Sequence, residues 1–138
     1  MRIFEITREI YIGTYDIDFA GHVSNIVYLR WLEDMRLMVF DKYFPLEQIM
    51  GDGKIYPVLA STKIEYKRPI KLFSKPIGTM WISRMGSASM TFSGQIEVDG
   101  VICTTAEHVG VFVSQESTKP VRLPKIILEQ HEKLYCRT

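Results

Sequence analysis

The decapeptide Asp16-Ile17-Asp18-Phe19-Ala20-Gly21-His22-Val23-Ser24-Asn25 concentrates the polar chemistry of this chain. It packs two carboxylates, a glycine, an imidazole and a carboxamide into one turn-like stretch. From Ile26 to Phe40 the sequence then turns almost wholly apolar, broken only by Arg30, Glu33, Asp34 and Arg36. Ser24 or Asn25 stands where an N-cap would accept a hydrogen bond from a first-turn N–H. The remaining first-turn amides point back toward the Asp16–His22 loop and carry the partial positive charge of a helix N-terminus. A carboxylate loop therefore lies beside a ready oxyanion site. That pairing suits attack on a carbonyl, with a carboxylate as base or nucleophile and backbone amides holding the developing charge. The competing reading is that both aspartates only tie down backbone N–H groups in a turn.

The elements around this stretch must hold it in place. Met1–Ile12 alternates in part and reads as a strand with mixed faces. The apolar helix runs on to about Tyr43 and stops at Phe44-Pro45. Gly51-Asp52-Gly53-Lys54 reads as a loop. Four strand signals follow. In the first, Val58, Ala60, Thr62, Ile64 and Tyr66 alternate with Leu59, Ser61, Lys63, Glu65 and Lys67. The others are Ile77–Met85, a stretch with Met90, Phe92, Ile96 and Val98 on one face, and Val101–Val113. Asp99-Gly100 between the last two is a hairpin turn. A short amphipathic helix is expected near Lys125–Lys133, with Ile126 and Ile127 able to dock. This order points to an α+β domain: an antiparallel sheet of about five strands wrapped around one long apolar helix. A doubly wound sheet would need several crossover helices, which the chain does not supply. Residues 1–138 read as one domain, with no repeats or linkers. One sheet around one helix leaves edge strands to be covered or paired, so a dimer through sheet edges is expected.

Asp16, Asp18, Gly21, His22, Val23, Asn25, Tyr28, Leu29 and Glu33 fall at the spacing Asp-x-Asp-x-x-Gly-His-Val-x-Asn-x-x-Tyr-Leu-x-x-x-Glu. This pattern resembles the signature of hotdog-fold acyl-CoA thioesterases of the 4-hydroxybenzoyl-CoA thioesterase type. Ser24 departs from it, since many members carry Asn there. The resemblance implies hydrolysis of an acyl-CoA thioester, with Asp18 as the catalytic carboxylate. At the first turn of the helix, the Asn25 backbone N–H is placed to polarise the thioester carbonyl and its side chain to orient water, with a plain N-cap as the compatible alternative. Asp16 is left a structural role. His22 is a candidate to steer Asp18 or to move a proton, with a purely structural role in the tight loop as the equal alternative. Tyr28 and Tyr66 are candidates to contact substrate, Tyr28 with core packing as the alternative. Phe19, Trp31 and Tyr56 are further candidates for the acyl pocket. The cluster Lys63, Lys67, Arg68, Lys71 and Lys75 suits the phosphates of coenzyme A, Arg68 above all, with an ordinary solvated strand edge as the alternative. By resemblance, Ser87 and Ser89 in the turn Gly86–Ser89 approach the pantetheine arm. A homodimer or homotetramer is implied, with sites at the dimer interface. No metal and no cofactor beyond the coenzyme A of the substrate are expected.

Other classes fit less well. A net charge of +1 and the lack of an aromatic-interleaved basic platform argue against nucleic-acid binding. Cys103 and Cys136 have neither metal nor redox spacing and fit a reducing compartment. His108 and His131 make no spaced pair with His22. Without an apolar run of signal or membrane-spanning length, the chain reads as cytoplasmic, with no membrane partner. Hotdog hydratases pair their acid and histidine at another spacing than Asp18 and His22. Glu33 and Asp34 are expected to pair with Arg30 and Arg36 rather than to catalyse. Two alternatives stay open: an acyl carrier protein thioester as substrate, and a non-catalytic acyl-CoA binding module.

Overall fold

The computed structural model describes residues 1–136. Its central element is α1, Asn25–Tyr43, whose 19 residues include Val27, Tyr28, Trp31, Leu32, Met35, Val39 and Phe40 as buried side chains. A second, short helix α2, Leu46–Met50, follows the break at Phe44-Pro45. The strands are β1 (Ile3–Glu9), β2 (Ile55–Tyr66), β3 (Ile77–Met85), β4 (Ser89–Val98), β5 (Val101–Ser114) and the two-residue β6 (Pro120–Val121). They form one six-stranded sheet in the order β1-β3-β4-β5-β2, with β6 beside the end of β5. Every pairing is antiparallel. This is the expected hotdog architecture, with one more strand than expected. The polar tail after Ser114 gave no hydrophobic alternation from which β6 could be read.

The helix sits in the sheet because both surfaces are apolar and shaped to meet. Met80, Ile82, Phe92, Ile96, Ala106 and Phe112 line the sheet side of the same core as Leu32, Met35 and Phe40. Gly94 is the point of close approach. A side chain there would place its Cβ 3.3 Å from Leu32 Cδ2, so glycine lets the helix ride close to β4. A last helix, α3 (Lys125–Tyr135), docks through Ile127 against the far end of α1. The Gln130 side-chain amide there donates to the Tyr43 carbonyl.

The two edges of the sheet differ. On β1, the ladder slips between Ile3 and Ile6. The groups released there are bonded: Phe4 N–H donates to the Tyr135 hydroxyl at 2.8 Å, and Tyr43 donates to Glu5 O at 2.7 Å. On β2, the run Val58–Lys63 is exposed throughout. The expected face of Val58, Ala60, Thr62, Ile64 and Tyr66 does not survive. Leu59 pairs with Gly110 and Ser61 with Val109, so Ala60 is an extra, bulged residue. A bulge reverses the alternation. Thr62, Ile64 and Tyr66 keep to the face of His108, Ala106 and Thr104, whereas Val58 lies opposite Val111 on the other side. No helix among the described residues is long and apolar enough to cross a membrane.

Leu32 is fully buried at the closest contact between helix and sheet. Leu32→Ala is expected to destabilise the fold by about 3 kcal/mol, read as a lower urea midpoint at unchanged slope. A loss under about 1 kcal/mol would mean that the contact does not hold the layers together.

Candidate active site

Asp18 is held by its own loop. Its Oδ1 accepts the backbone N–H of Ala20 at 2.9 Å and of His22 at 3.1 Å. The backbone closes the same loop, Asp18 N–H to His22 O at 2.8 Å and Gly21 N–H to Asp18 O at 3.0 Å. Gly21 takes a φ of +81°, a region that suits glycine, and a Cβ there would meet nothing. Among the described residues nothing bonds Asp18 Oδ2. The carboxylate is thus fixed by one oxygen and leaves the other for chemistry.

The neighbouring elements hold this loop against the start of α1. Val23 N–H donates to Ile70 O at 2.8 Å, and His22 bridges to Lys71. Asp16 is buried, its Oδ2 accepting Gly13 N–H at 2.8 Å, and its carbonyl accepts Ser24 N–H at 2.9 Å. Asp16 therefore ties the loop to its surroundings. Ser24 is the N-cap by position but makes no side-chain cap bond. Only its carbonyl works, accepting Val27 N–H at 2.9 Å. The Asn25 and Ile26 amides have no partner among the described residues, which leaves the donors that an oxyanion would need.

Asp18, His22, Asn25, Tyr28, Tyr66, Lys67 and Arg68 line one cavity of about 320 Å³. Tyr28 is buried, and burial pushes its hydroxyl above the ordinary tyrosine value. Its ring meets Tyr66 edge-on at 5.1 Å and Trp31 at 5.5 Å. Tyr66 donates from its hydroxyl to the Asn25 carbonyl at 3.1 Å, so the end of β2 grips the first turn of α1.

The model of the thioesterase-like superfamily matches residues 12–131. The chain belongs to that superfamily. It also overlays several solved structures. The DHNA-CoA thioesterase from Staphylococcus aureus is 21% identical, with a TM-score of 0.81 over 93% of this chain and 87% of the other. Slr0204, a 1,4-dihydroxy-2-naphthoyl-CoA thioesterase from Synechocystis, is 16% identical, with a TM-score of 0.85 over 94% and 97%. A thioesterase from Thermus thermophilus, complexed with coenzyme A and Zn, is 26% identical, with a TM-score of 0.77 over 96% and 95%. No curated protein matches the sequence. Family membership makes the chain a thioester hydrolase. Among the described residues no three His, Cys, Asp or Glu side chains come together as metal ligands.

Other expected site residues lie elsewhere. Ser87 and Ser89 sit in the β3–β4 turn, and Ser89 pairs with Val111 whereas Tyr66 pairs with Thr104. Seven residues of β5 separate these points, about 24 Å, so the turn lies outside this protomer's Asp18 cavity. Lys63 lies in a depression with Trp81 and Glu107 and pairs with Glu65 at 3.7 Å. Phe19 is fully exposed, Trp31 belongs to the core, and Tyr56 borders a shallow dip with Met50 and Gln115. The His22 imidazole makes no hydrogen bond among the described residues; its backbone, not its ring, holds Asp18.

One polar pair escaped the reading of the sequence. Arg36 turns inward from α1 and donates through a guanidinium nitrogen to His108 Nδ1 at 2.8 Å. Arginine cannot accept, so Nδ1 accepts and the ring proton sits on Nε2. His108 is 1% exposed, and burial followed by the Arg36 charge lowers its pKa to about 4. A histidine in phase with Thr104, Ala106 and Phe112, facing an arginine in phase with Leu32 and Phe40, was the available signal.

The sign of the resulting pH effect follows from linkage. The unfolded imidazole takes up a proton near pH 6.5, the folded one only near pH 4. Stability from this group is full above pH 6.5 and declines as pH falls toward 4. The His108 ring resonance is expected to stay flat from pH 8 to about pH 5. A midpoint near 6.5 would contradict the buried neutral pair.

Proposed function

We propose that the protein hydrolyses an acyl-CoA thioester to a carboxylic acid and coenzyme A at the Asp18–Asn25 site. The single observation that carries this reading is an anchored carboxylate with one unbonded oxygen, in one cavity with the unpartnered first turn of α1. The carbonyl oxygen is set against the Asn25 amide, where negative charge is stabilised as the carbon becomes tetrahedral. Asp18 Oδ2 takes a proton from water as that water attacks. Collapse breaks the carbon–sulfur bond, and the thiolate leaves and takes up the proton. In the other route Oδ2 attacks the carbonyl carbon and displaces the thiolate as the carbon–sulfur bond breaks, leaving an anhydride that water then hydrolyses to free Asp18 and the acid. Both routes need the same oxygen.

Coenzyme A as the carrier is supported by the positive mouth of the cavity, Lys67 and Arg68, and by the coenzyme A found with the Thermus thermophilus thioesterase. The loop-borne carboxylate favours the 4-hydroxybenzoyl-CoA thioesterase type over a helix-borne one, because Glu33 points to solvent and to Arg36. The uncovered β2 edge, with exposed Val58 and Leu59, favours a homodimer joined there. Ile26, Leu29 and Leu37 on the open side of α1 would be covered in the same assembly.

Asp18→Asn keeps the loop bonds and removes the basic oxygen. Thiol release from short, long and aromatic acyl-CoAs is expected to fall by at least about a hundredfold, mostly in kcat. Full activity in that variant would remove Asp18 from the mechanism. For the assembly, sedimentation is expected to give twice or four times the 16.0 kDa chain mass, and Val58→Glu a smaller species.

A further inference from the structure

A second cavity, of about 140 Å³, lies between α1 and the β2–β5 edge. Leu37, Phe40, Leu46, Phe92 and Phe112 make it apolar, and its wall holds two charged groups, Arg36 and its exposed neighbour Glu33. Arg36 is only 15% exposed through its side chain. Its one carboxylate neighbour, Glu33, is 3.5 Å away and 62% exposed. Its other partner, His108, is neutral. His108 Nε2 is buried with no partner among the described residues. Burial of a cation with so loose a counter-ion is costly unless an anion completes the site. The guanidinium nitrogen that reaches Glu33 does so at the limit of a hydrogen bond. Glu33, largely in water, can turn away when another carboxylate takes its place.

In one protomer this cavity is remote from the thioester site. Eleven helical residues separate Asn25 from Arg36, about 16 Å along the axis. Pairing of two β2 strands changes that. Antiparallel pairing of the exposed run Val58–Lys63 with a second copy carries the Pro57–Leu59 end of one strand toward the Tyr66 end of the other. In such a dimer the apolar cavity of one copy would lie beyond the Asp18 cavity of its neighbour, within reach of the far end of an acyl chain.

We propose that this cavity receives the far end of the acyl group and that Arg36 selects acyl chains ending in a carboxylate. The inference rests on the hydrolase reading and on the β2 dimer. It names the substrate as a mono-thioester of a dicarboxylic acid: the thioester end is cut at Asp18, and the free carboxylate is held by Arg36 of the second copy.

The test compares adipoyl-CoA with hexanoyl-CoA, and suberoyl-CoA with octanoyl-CoA, for the wild type, Arg36→Met and Arg36→Lys. Wild type is expected to favour the carboxylate-ended ester of at least one pair by about tenfold or more in kcat/KM, the discrimination typical of one charge-assisted hydrogen bond. Arg36→Met is expected to erase that preference while still cutting the methyl-ended esters, and Arg36→Lys to retain part of it. No preference in the wild type, or the same preference in a folded Arg36→Met, overturns the inference. If no ester releases thiol, the hydrolase reading fails separately, and adipate binding then decides. A His108 ring resonance that shifts with adipate in the wild type and not in Arg36→Met supports the site, and an unmoved resonance overturns it.

Discussion

Burial of α1 against the sheet is the constraint on which everything else depends. A helix with Leu32, Met35 and Val39 fully buried cannot slide or rotate without opening the core. Its N-terminus is therefore a fixed point. Two independent ties hold it there: the Tyr66 hydroxyl on the Asn25 carbonyl, and the Asp16 carbonyl on the Ser24 amide. The Asp18 loop hangs from that point and from Ile70. The core thus pre-organises a carboxylate and a pair of backbone donors before any substrate arrives, which is where electrostatic catalysis draws its strength.

The helix and most strands were legible because they rest on local patterns. The apolar run after Asn25 could only be a covered helix, and Ile77–Met85 has the expected bounds. Asp99-Gly100 turns β4 into β5 as its dipeptide requires, with φ of 51° and 79°. The Asp18–Asn25 cluster was legible because its parts are close in sequence, so a tight loop must bring them together. What stayed hidden depends on long-range geometry. The Ala60 bulge leaves no mark in residue type; the strand simply has one residue more than its partner needs. Arg36 and His108 lie on different elements, and only the packing of α1 on β5 makes them neighbours. The separation of Ser87 and Ser89 from Asp18 within one protomer was hidden for the same reason. A turn is easy to locate in sequence, but which end of the sheet it occupies is set by register.

The structure also shows where stability has been given up. The Asn25 and Ile26 amides lack the side-chain bond that a better cap would provide, and Arg36 is held among apolar groups with a loose counter-ion. A chain selected for stability alone would turn the Ser24 hydroxyl onto the first and replace the second with leucine or methionine. Both defects lie at cavities. Locally unsatisfied polar groups are tolerated where a ligand completes them; the first lies at the start of α1 and the second about three turns further along it.

Whether the first turn of α1 and Asp18 act together on a thioester is tested most directly by a crystal structure with an acyl-CoA analogue that keeps the carbonyl but has a methylene inserted between it and sulfur. The carbonyl oxygen is expected about 3 Å from the Asn25 amide nitrogen, with the carbonyl carbon or an ordered water facing Asp18 Oδ2. A carbonyl bound away from the first turn of α1, with Asp18 facing only solvent, would contradict it.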